Sequence, residues 1–320
     1  MNSEQKKDKI LMKNYKKEVR VLLLFSGGLD SILAAKILAK EGIKVTPLCF
    51  KSCFFDEKLA QKGSKMLGLR LRILDVSKGC LEIVKKPRFG YGKGLNPCID
   101  CHSLMLKKAK KEMKKEKFDI LATGEVLGER PFSQNRTALN LIEKEAGLKG
   151  KILRPLSAKL LEKTVYEKRG LIEREKLFAF QGKNRKAQLN LARILKIENF
   201  PSPAGGCILT DSEYAKRLKD LMEKSDEFDD DDCELLKRGR IFWSGRKLIL
   251  VGRNEKENAK LKNLKKNRDV ILEPINFAGP TVLIRGFGVK IDGETVDKGE
   301  KLILRYSKKA TQNYSISKSF

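Results

Sequence analysis

The sequence predicts an α/β protein whose main domain is a doubly wound parallel sheet, followed by a smaller C-terminal α+β domain. Between residues 19 and 124, short apolar runs alternate with segments of helical periodicity. After residue 234 the pattern changes to β-type runs around glycine turns. Because a typical domain takes ~100–200 residues, a chain of 320 residues is expected to form two domains.

In the first domain, predicted strands and helices follow one another in strict order. The strands are continuous apolar runs, as in a parallel sheet covered on both faces, and they span 19–25, 44–50, 70–76 and 118–124. The helices carry apolar positions at helical spacing, and they span 29–41, 56–68 and 103–117. A mostly helical and basic region follows, from about 155 to 222.

An acidic stretch, KSDEFDDDDCE, separates this region from the C-terminal domain and is interpreted as a linker. The predicted boundaries are a basic N-terminal arm at 1–17, the main domain at 18–223, the linker at 224–234 and the last domain at 235–320. Within the last domain, the sequence predicts a hairpin at 240–254, a helix at 255–266 and two strands at 269–286.

The charge balance narrows the class of partner. The chain has 69 Lys and Arg against 41 Asp and Glu, so its formal net charge is +28. Such a field attracts polyanions and favours a nucleic acid over the alternatives, an anionic membrane or a simply soluble surface. No run of about 18 apolar residues exists, and the N-terminal stretch lacks the apolar core of a secretory signal. A cytoplasmic protein without a membrane partner is expected.

The stretch SGGLDS lies between the first predicted strand and the first helix. Free N–H groups at a helix N-terminus attract anions, Gly27 and Gly28 let a phosphate approach the backbone, and Ser26 and Ser31 add hydroxyl groups. The spacing excludes the Walker and dinucleotide fingerprints. A carboxylate at Asp30 would repel phosphates unless it binds Mg²⁺ carried by a nucleotide. The alternative is an ordinary turn with an aspartate near a helix start.

SGGLDS resembles the PP-loop of the ATP pyrophosphatase superfamily, and the resemblance covers roughly residues 18 to 210. Two further stretches, TGEVLGERPFSQ and ILRPLSAK, resemble segments of tRNA 4-thiouridine synthases and, more loosely, of tRNA 2-thiouridylases. The resemblance implies an ATP-dependent enzyme that thiolates a tRNA uridine, with tRNA as partner and ATP and Mg²⁺ as cofactors. The nucleotide contacts that it implies are Ser26, Gly27, Gly28, Asp30, Ser31, Phe50, Thr123 and Gly124.

Seven cysteines are present, of which Cys98 and Cys101 form a CxxC pair and Cys207 follows a proline- and glycine-rich stretch. The flanking residues predict exposed loops. By themselves, three such thiols suit a [4Fe–4S] cluster or a redox trio that handles persulfide, and a fourth ligand from His102 would suit zinc. The alternative is that Cys207 is a buried apolar cysteine and that the CxxC pair is a zinc half-site or chance. The remaining cysteines, Cys49, Cys53, Cys80 and Cys233, are assigned no chemistry.

The resemblance to thiouridine synthases favours the cluster among these alternatives. It implies that Cys98, Cys101 and Cys207 hold a [4Fe–4S] cluster whose open iron binds a sulfide. These three residues and Asp30 would then form the catalytic set, supplied by a sulfide or persulfide donor. The sequence is also compatible with a homodimer.

Basic residues around the proposed site predict contact with RNA phosphates. The candidates are Lys85, Lys86, Arg88, Lys93, Lys183 and Arg185. Phe89 and Tyr91 are candidates to stack on a splayed base. Residues 239–258 resemble the RNA-binding module of NFACT proteins, including its glycine-arginine-asparagine turn.

Three other functions are weighed against tRNA thiolation. A PP-loop ligase or amidotransferase acting on a small molecule leaves the +28 charge and the cysteine trio unexplained. A non-catalytic RNA- or ribosome-binding protein is expected to have lost Asp30 or a loop glycine, and neither is missing. An enzyme that removes sulfur from thiolated bases has no need of ATP.

Overall fold

The computed structural model describes residues 18–198, 200, 207–307 and 314–319, so the predicted N-terminal arm lies outside it. The main domain contains a parallel sheet of β1 (Arg20–Leu24), β2 (Lys44–Lys51), β3 (Arg72–Asp75) and β4 (Ile120–Thr123). In the described residues the strand order is β3-β2-β1-β4. All four predicted strands are therefore confirmed, and with them the doubly wound α/β class.

Helices cover both faces of this sheet. They are α1 (Leu29–Lys40), α2 (Lys58–Met66), α3 (Ser77–Lys85), α4 (Cys98–Lys115), α5 (Arg136–Glu145), the short α6 (Val165–Lys168), α7 (Lys186–Ile194) and α8 (Ser212–Lys224). Helix α4 begins five residues before the predicted start, and α3 and α5 were not predicted. Among the described residues, none of the helices could span a lipid bilayer.

The central strand β1 explains the continuous apolar run in the sequence. Leu22 packs into one buried cluster, whereas its neighbours Val21 and Leu23 pack into the cluster on the opposite face. Successive side chains of a strand point to opposite faces, so a strand covered on both sides needs apolar residues throughout. Strand β1 lies between β2 and β4, so the chain continues to β2 and β3 on one side of β1 and to β4 on its other side. In open α/β sheets, a crevice for ligands forms at such a point, outside the carboxyl ends of the strands.

As far as the structure describes it, the C-terminal domain is an antiparallel sheet with two helices. Its strands are β5 (Arg240–Ser244), β6 (Lys247–Val251), β7 (Val270–Pro274), β8 (Val282–Arg285) and β9 (Ile316–Ser319), in the order β5-β6-β8-β7-β9 within the described residues. Helix α10 spans Glu255–Asn263 and helix α11 spans Gly293–Tyr306. The hairpin, the first helix and the next two strands match the prediction, whereas α11 and β9 were not predicted.

The acidic stretch between the domains contains a folded element. It includes helix α9 (Asp230–Leu235), and Phe228 and Cys233 within the stretch are buried. On one side, the Nζ of Lys85 donates to the carbonyl of Phe228 at 2.8 Å. On the other, the guanidinium of Arg285 donates to Asp232. The predicted linker is thus an ordered connector that contacts both domains.

Candidate active site

The SGGLDS segment forms the turn between β1 and α1, and its geometry explains the glycine pair. Gly27 adopts φ +77°, and a Cβ atom there would lie 2.1 Å from the carbonyl oxygen of Leu59. The Ser31 hydroxyl accepts from the Gly27 N–H at 3.1 Å and donates to the Gly28 carbonyl at 2.9 Å. Ser31 therefore holds the loop in shape, a role that differs from the phosphate donor expected from the sequence. Ser26 Oγ accepts from the Gly28 N–H at 3.3 Å.

Asp30 lies in the first turn of α1 with an unused carboxylate oxygen. Its Oδ1 atom is buried and has no hydrogen-bond partner among the described residues. The nearest cation is Arg185, whose Nη2 is 3.9 Å from Oδ2. Burial raises the pKa of Asp30 above its usual value, and Arg185 and Gln188 oppose that rise. An orphaned carboxylate oxygen beside the loop has the chemistry of a Mg²⁺ ligand, which is the role that the sequence predicts for Asp30.

Strand β4 delivers Thr123 and Gly124 to the same crevice. A Cβ atom on Gly124 would lie 2.7 Å from the backbone of Ser31, so the chain after β4 touches the start of α1. Thr123 Oγ1 donates to Glu125 Oε2 at 3.0 Å and is therefore held beside the loop. Phe50, by contrast, is only 6% exposed and packs in the core near the end of β2.

Glu125 is the centre of a buried charge network that the sequence did not reveal. It accepts from Arg154 Nε at 2.9 Å and from His102 Nδ1 at 3.0 Å, and Arg154 also pairs with Glu143. Burial acts to raise the pKa of Glu125, but Arg154 and His102 outweigh it and hold that pKa well below its usual range. Because His102 follows Cys101 directly in α4, this network joins helix α4 to the end of β4, where Thr123 lies.

The CxxC pair lies in the first turn of α4, which corrects the prediction of an exposed loop. Pro97 precedes the helix at a position that needs no N–H donor. Cys98 is half-buried and accepts from Asn96 Nδ2 at 3.0 Å, whereas Cys101 is only 8% exposed. Cys207 is half-buried and packs against the same core. The stretch PSPAGG before it, residues 201–206, lies outside the described residues.

The structure adds a fourth thiol to this group. A hydrogen bond with Cys80, burial, and the nearby Cys207 and Cys98 all raise the pKa of Cys101, while burial raises the pKa of Cys207 to about 11. Cys80 lies on the unpredicted helix α3 and is fully buried. All seven cysteines are free thiols. Nothing in the sequence near Cys80 distinguishes it from a core cysteine, so only the packing of α3 on α4 reveals it.

The thiol group has the right chemistry for a soft metal, but its arrangement is not that of a formed metal centre. In the described residues, no set of three or more His, Cys, Asp or Glu side chains is placed to hold a metal ion. Binding of a soft metal would favour the thiolates over the protonated thiols. The donor set Cys98, Cys101 and Cys207 therefore fits an iron–sulfur cluster by chemistry.

The residues expected to contact RNA divide into two groups. Lys86, Lys93 and Lys183 are exposed, and Arg88 is exposed and pairs with Glu145 at 2.6 Å. Lys85 instead reaches the acidic connector, where its Nζ lies 3.9 Å from the ring centroid of Phe228.

Arg185 and the two aromatic candidates also differ from expectation. Arg185 faces Asp30 and Glu129, inside the crevice. The Tyr91 hydroxyl donates to the carbonyl of Val84 at 2.6 Å, and Phe89 packs against the core. Both rings are thus held by the protein in this conformation.

The SGGLDS turn lies at the carboxyl-end edge of a parallel α/β sheet, and a separate antiparallel module follows it; comparison with known protein families finds a match for each part. Residues 17–166 match the family described as Thiamine biosynthesis protein (ThiI). Residues 239–319 match the NFACT protein RNA binding domain. Both resemblances drawn from the sequence are thereby confirmed: the chain carries a ThiI-type segment followed by an NFACT-type RNA-binding module.

Two curated relatives share the first part. The chain is 35% identical over 115 residues to the tRNA-specific 2-thiouridylase MnmA of Sulfurimonas denitrificans, covering 33% of this chain and 34% of the relative. It is 33% identical over 144 residues to the "Probable tRNA sulfurtransferase" of Finegoldia magna, covering 43% of this chain and 36% of the relative. The chain thus spans about a third of the length of these relatives.

Among solved structures, a 4-thiouridine synthetase in complex with RNA and with bound ATP aligns with a TM-score of 0.35. That alignment covers 44% of this chain and 37% of the other, at 24% identity.

Proposed function

We propose that this protein is an ATP-dependent tRNA uridine sulfurtransferase. The observation that carries the proposal is the chain of contacts that runs from the PP-loop, through Gly124 and Glu125, to the helix that begins with Cys98 and Cys101. The Glu125 network connects the two through His102. The match to the ThiI family and the named activities of the two curated relatives support the same reaction class.

The first step would be adenylation. A uridine carbonyl oxygen attacks the α-phosphorus of ATP, the ring N–H proton is lost, and pyrophosphate leaves with the electron pair of the broken P–O bond. Backbone N–H groups at the start of α1 would bind the phosphates. Gly28 leaves their approach open, and Asp30 would hold Mg²⁺, which offsets the phosphate charge.

The second step would be sulfur transfer. A sulfur nucleophile attacks the ring carbon that bears the adenylated oxygen. AMP then leaves with the electron pair of the C–O bond, so that a C=S group replaces C=O. The sulfur would come from sulfide, or from a persulfide together with a thiol reductant. Cys98, Cys101 and Cys207 would hold a [4Fe–4S] cluster, which when bound supplies an open coordination position for sulfide.

The RNA would be held by charge on both domains. Lys86, Lys93 and Lys183 are exposed on the main domain, where they would bind phosphates. The NFACT-type module supplies a second RNA-binding surface in the same chain. The net charge of +28 supports a polyanionic substrate over a small molecule.

The test is an anaerobic assay of the reconstituted full chain with unmodified tRNA, ATP with Mg²⁺, and sulfide. Thionucleosides are measured by mass spectrometry for the wild type, Cys207→Ala and the control Cys49→Ala. Cys49 is buried in the cluster on the other face of the sheet. We expect a thiouridine with the wild type and the control, and none with Cys207→Ala. The isomer formed identifies the ring position.

Other outcomes would reject parts of the proposal. No thionucleoside despite an intact iron–sulfur absorbance would point to a different substrate or to desulfuration. The absence of both absorbance and product, with tRNA binding retained, would favour a non-catalytic RNA-binding protein.

A further inference from the structure

Two polar side chains near Asp30, Arg185 and Gln188, have buried polar atoms without a hydrogen-bond partner among the described residues. Both come from a segment that the sequence assigned to RNA or to no function. Backbone pairing brings this segment to the crevice. Leu127 pairs with Gln181, and the Gly182 N–H donates to the Leu127 carbonyl at 2.8 Å. Helix α7, which follows, packs against α1.

Arg185, at the start of α7, is placed between two carboxylates but bonded to neither. Its Nη2 is 3.9 Å from Asp30, and its Nε is 3.9 Å from Glu129. Both distances exceed a hydrogen bond. The Nε atom is buried and has no partner within the part of the chain that the structure describes. A guanidinium with unused N–H groups facing a crevice can bind an oxyanion with the bidentate geometry that phosphate favours.

Gln188 lies one turn further along α7 and is 1% exposed. Neither its amide nitrogen nor its amide oxygen has a hydrogen-bond partner in the described residues, and its helix packs against α1, the helix that carries Asp30. Buried amides without partners are rare because leaving them unpaired costs free energy. An amide at this position can orient the Asp30 carboxylate once a ligand occupies the crevice.

We propose that Arg185 and Gln188 form part of the nucleotide site, together with the SGGLDS turn and the Thr123–Gly124 segment. Arg185 binds the triphosphate and stabilises the negative charge that develops on the leaving pyrophosphate, and Gln188 positions Asp30 for its cation. This inference rests on the proposed function, because it assumes that ATP is the nucleotide. The ligand is the triphosphate rather than an RNA phosphate because Asp30, the neighbour of Arg185, lies in the first turn after the glycine loop.

The first experiment compares Arg185→Met, Arg185→Lys and Lys186→Met by titration calorimetry with ATP–Mg²⁺ and with AMP, in the absence of tRNA. Lys186 is exposed and adjacent, so its variant removes the same charge outside the crevice. We expect Arg185→Met to weaken ATP binding about 10- to 100-fold, the range for charge-assisted hydrogen bonds, without affecting AMP. Arg185→Lys should recover part of the affinity, and Lys186→Met should match the wild type.

The second experiment titrates Mg²⁺ at fixed ATP for Gln188→Leu. If Gln188 positions Asp30, Gln188→Leu should need a higher Mg²⁺ concentration for half-saturation of ATP binding, and its midpoint of thermal unfolding should equal that of the wild type. A purely structural role would instead move the midpoint and leave the Mg²⁺ requirement as it was.

Several results would overturn the inference. The inference is wrong if Arg185→Met binds ATP as tightly as the wild type does. It is also wrong if Arg185→Met loses affinity for ATP and for AMP by the same factor. A loss confined to tRNA binding would return Arg185 to the RNA surface. If the wild type itself fails to bind ATP–Mg²⁺, the proposed function fails first. If it binds ATP and Arg185→Met binds equally well, only this inference fails.

Discussion

At the scale of single residues, the two loop glycines are required for different reasons. Gly27 has a positive φ, and a side chain there would collide with the backbone of Leu59. Gly28 has an ordinary φ of −75°, and a Cβ atom added there would have Ser26 Oγ as its nearest neighbour, at 3.4 Å. Gly27 is thus required by the fold, whereas Gly28 is open on the side from which a phosphate would approach.

We predict that Gly27→Ala and Gly28→Ala separate stability from nucleotide binding. Gly27→Ala should lower the free energy of unfolding by several kcal/mol, roughly the cost of strain at a special backbone position together with overpacking. Gly28→Ala should cost at most about 1 kcal/mol, as for alanine at a helix N-cap, yet weaken ATP binding. Thermal unfolding and ATP titration of both variants provide the measurement. Equal destabilisation by the two substitutions would contradict this account.

Some residues of the site could be predicted from the sequence and others could not. SGGLDS was recognisable because its residues are contiguous and their spacing has chemical meaning. Arg154 and Cys80 were not, because each pairs with a residue distant in sequence, Glu125 and Cys101 respectively. The physical reason is that burial and pairing, rather than residue type, make them notable.

At the scale of elements, the glycine-arginine-asparagine turn before α10 has a clear structural basis. Gly252 leaves no room for a Cβ, which would lie 2.0 Å from Asn258 Oδ1. Asn254 caps α10 by accepting from the Glu257 N–H at 3.0 Å. Glu257 in turn accepts from the Arg253 side chain and from the Gly239 N–H, so the turn joins the start of the hairpin to the helix.

Glu257 should therefore make the stability of the C-terminal domain depend on pH. Its hydrogen bond with Arg253 lowers its pKa from 4.5 to about 2. The charged form is favoured in the folded state, so its contribution is complete above pH 4.5 and is lost as the pH falls towards 2. We predict that Glu257→Gln lowers the free energy of unfolding by about 1.5–3 kcal/mol at pH 7, the range for hydrogen bonds to a charged group.

Urea unfolding of wild type and Glu257→Gln at pH 7 and pH 3 measures this effect, with Glu255→Gln as the control. Glu255 is in the same first turn of α10 but is exposed. The difference between wild type and Glu257→Gln should shrink at the lower pH. A difference that stays constant would show that Glu257 contributes by packing rather than by charge.

At the scale of the whole molecule, the acidic connector holds the two domains in contact. The Arg285 side chain is 4% exposed and is paired with Asp232 from the connector and Asp269 from its own domain. Cys53 in the main domain lies 3.6 Å from Asp230 of the connector. The stretch interpreted from the sequence as a linker is thus ordered, and two of its acidic side chains, Asp229 and Asp232, pair with basic residues of the C-terminal domain.

We predict that Asp232→Asn destabilises the junction by about 3–5 kcal/mol, since it leaves Arg285 partly unpaired in a buried site. Asp231→Asn should have an effect within about 0.5 kcal/mol, as is usual for an exposed position. Denaturant unfolding followed by the fluorescence of Trp243, which packs near the connector core, reports on both variants. Equal midpoints for the two would mean that the buried triad does not stabilise the junction.

The charge of the whole molecule should govern its affinity for tRNA. We predict that the association constant falls roughly 10-fold or more between about 50 and 200 mM salt, through release of counterions. Lys86→Met and Lys93→Met should each reduce the slope of log K against log salt by about one. Filter binding at a series of salt concentrations gives that slope. A salt-independent affinity would contradict the electrostatic role assigned to these lysines.

The parallel sheet, the PP-loop and the NFACT-type module could be predicted from the order of residues, because periodicity, glycine spacing and contiguous motifs are local properties. That the CxxC pair begins a helix, that Lys85 faces the connector and that Arg185 faces Asp30 became visible in the folded chain alone. Those outcomes depend on which distant segments pack together. Burial and the pairing of charges across the fold set them, and neither is visible in the order of residues along the chain.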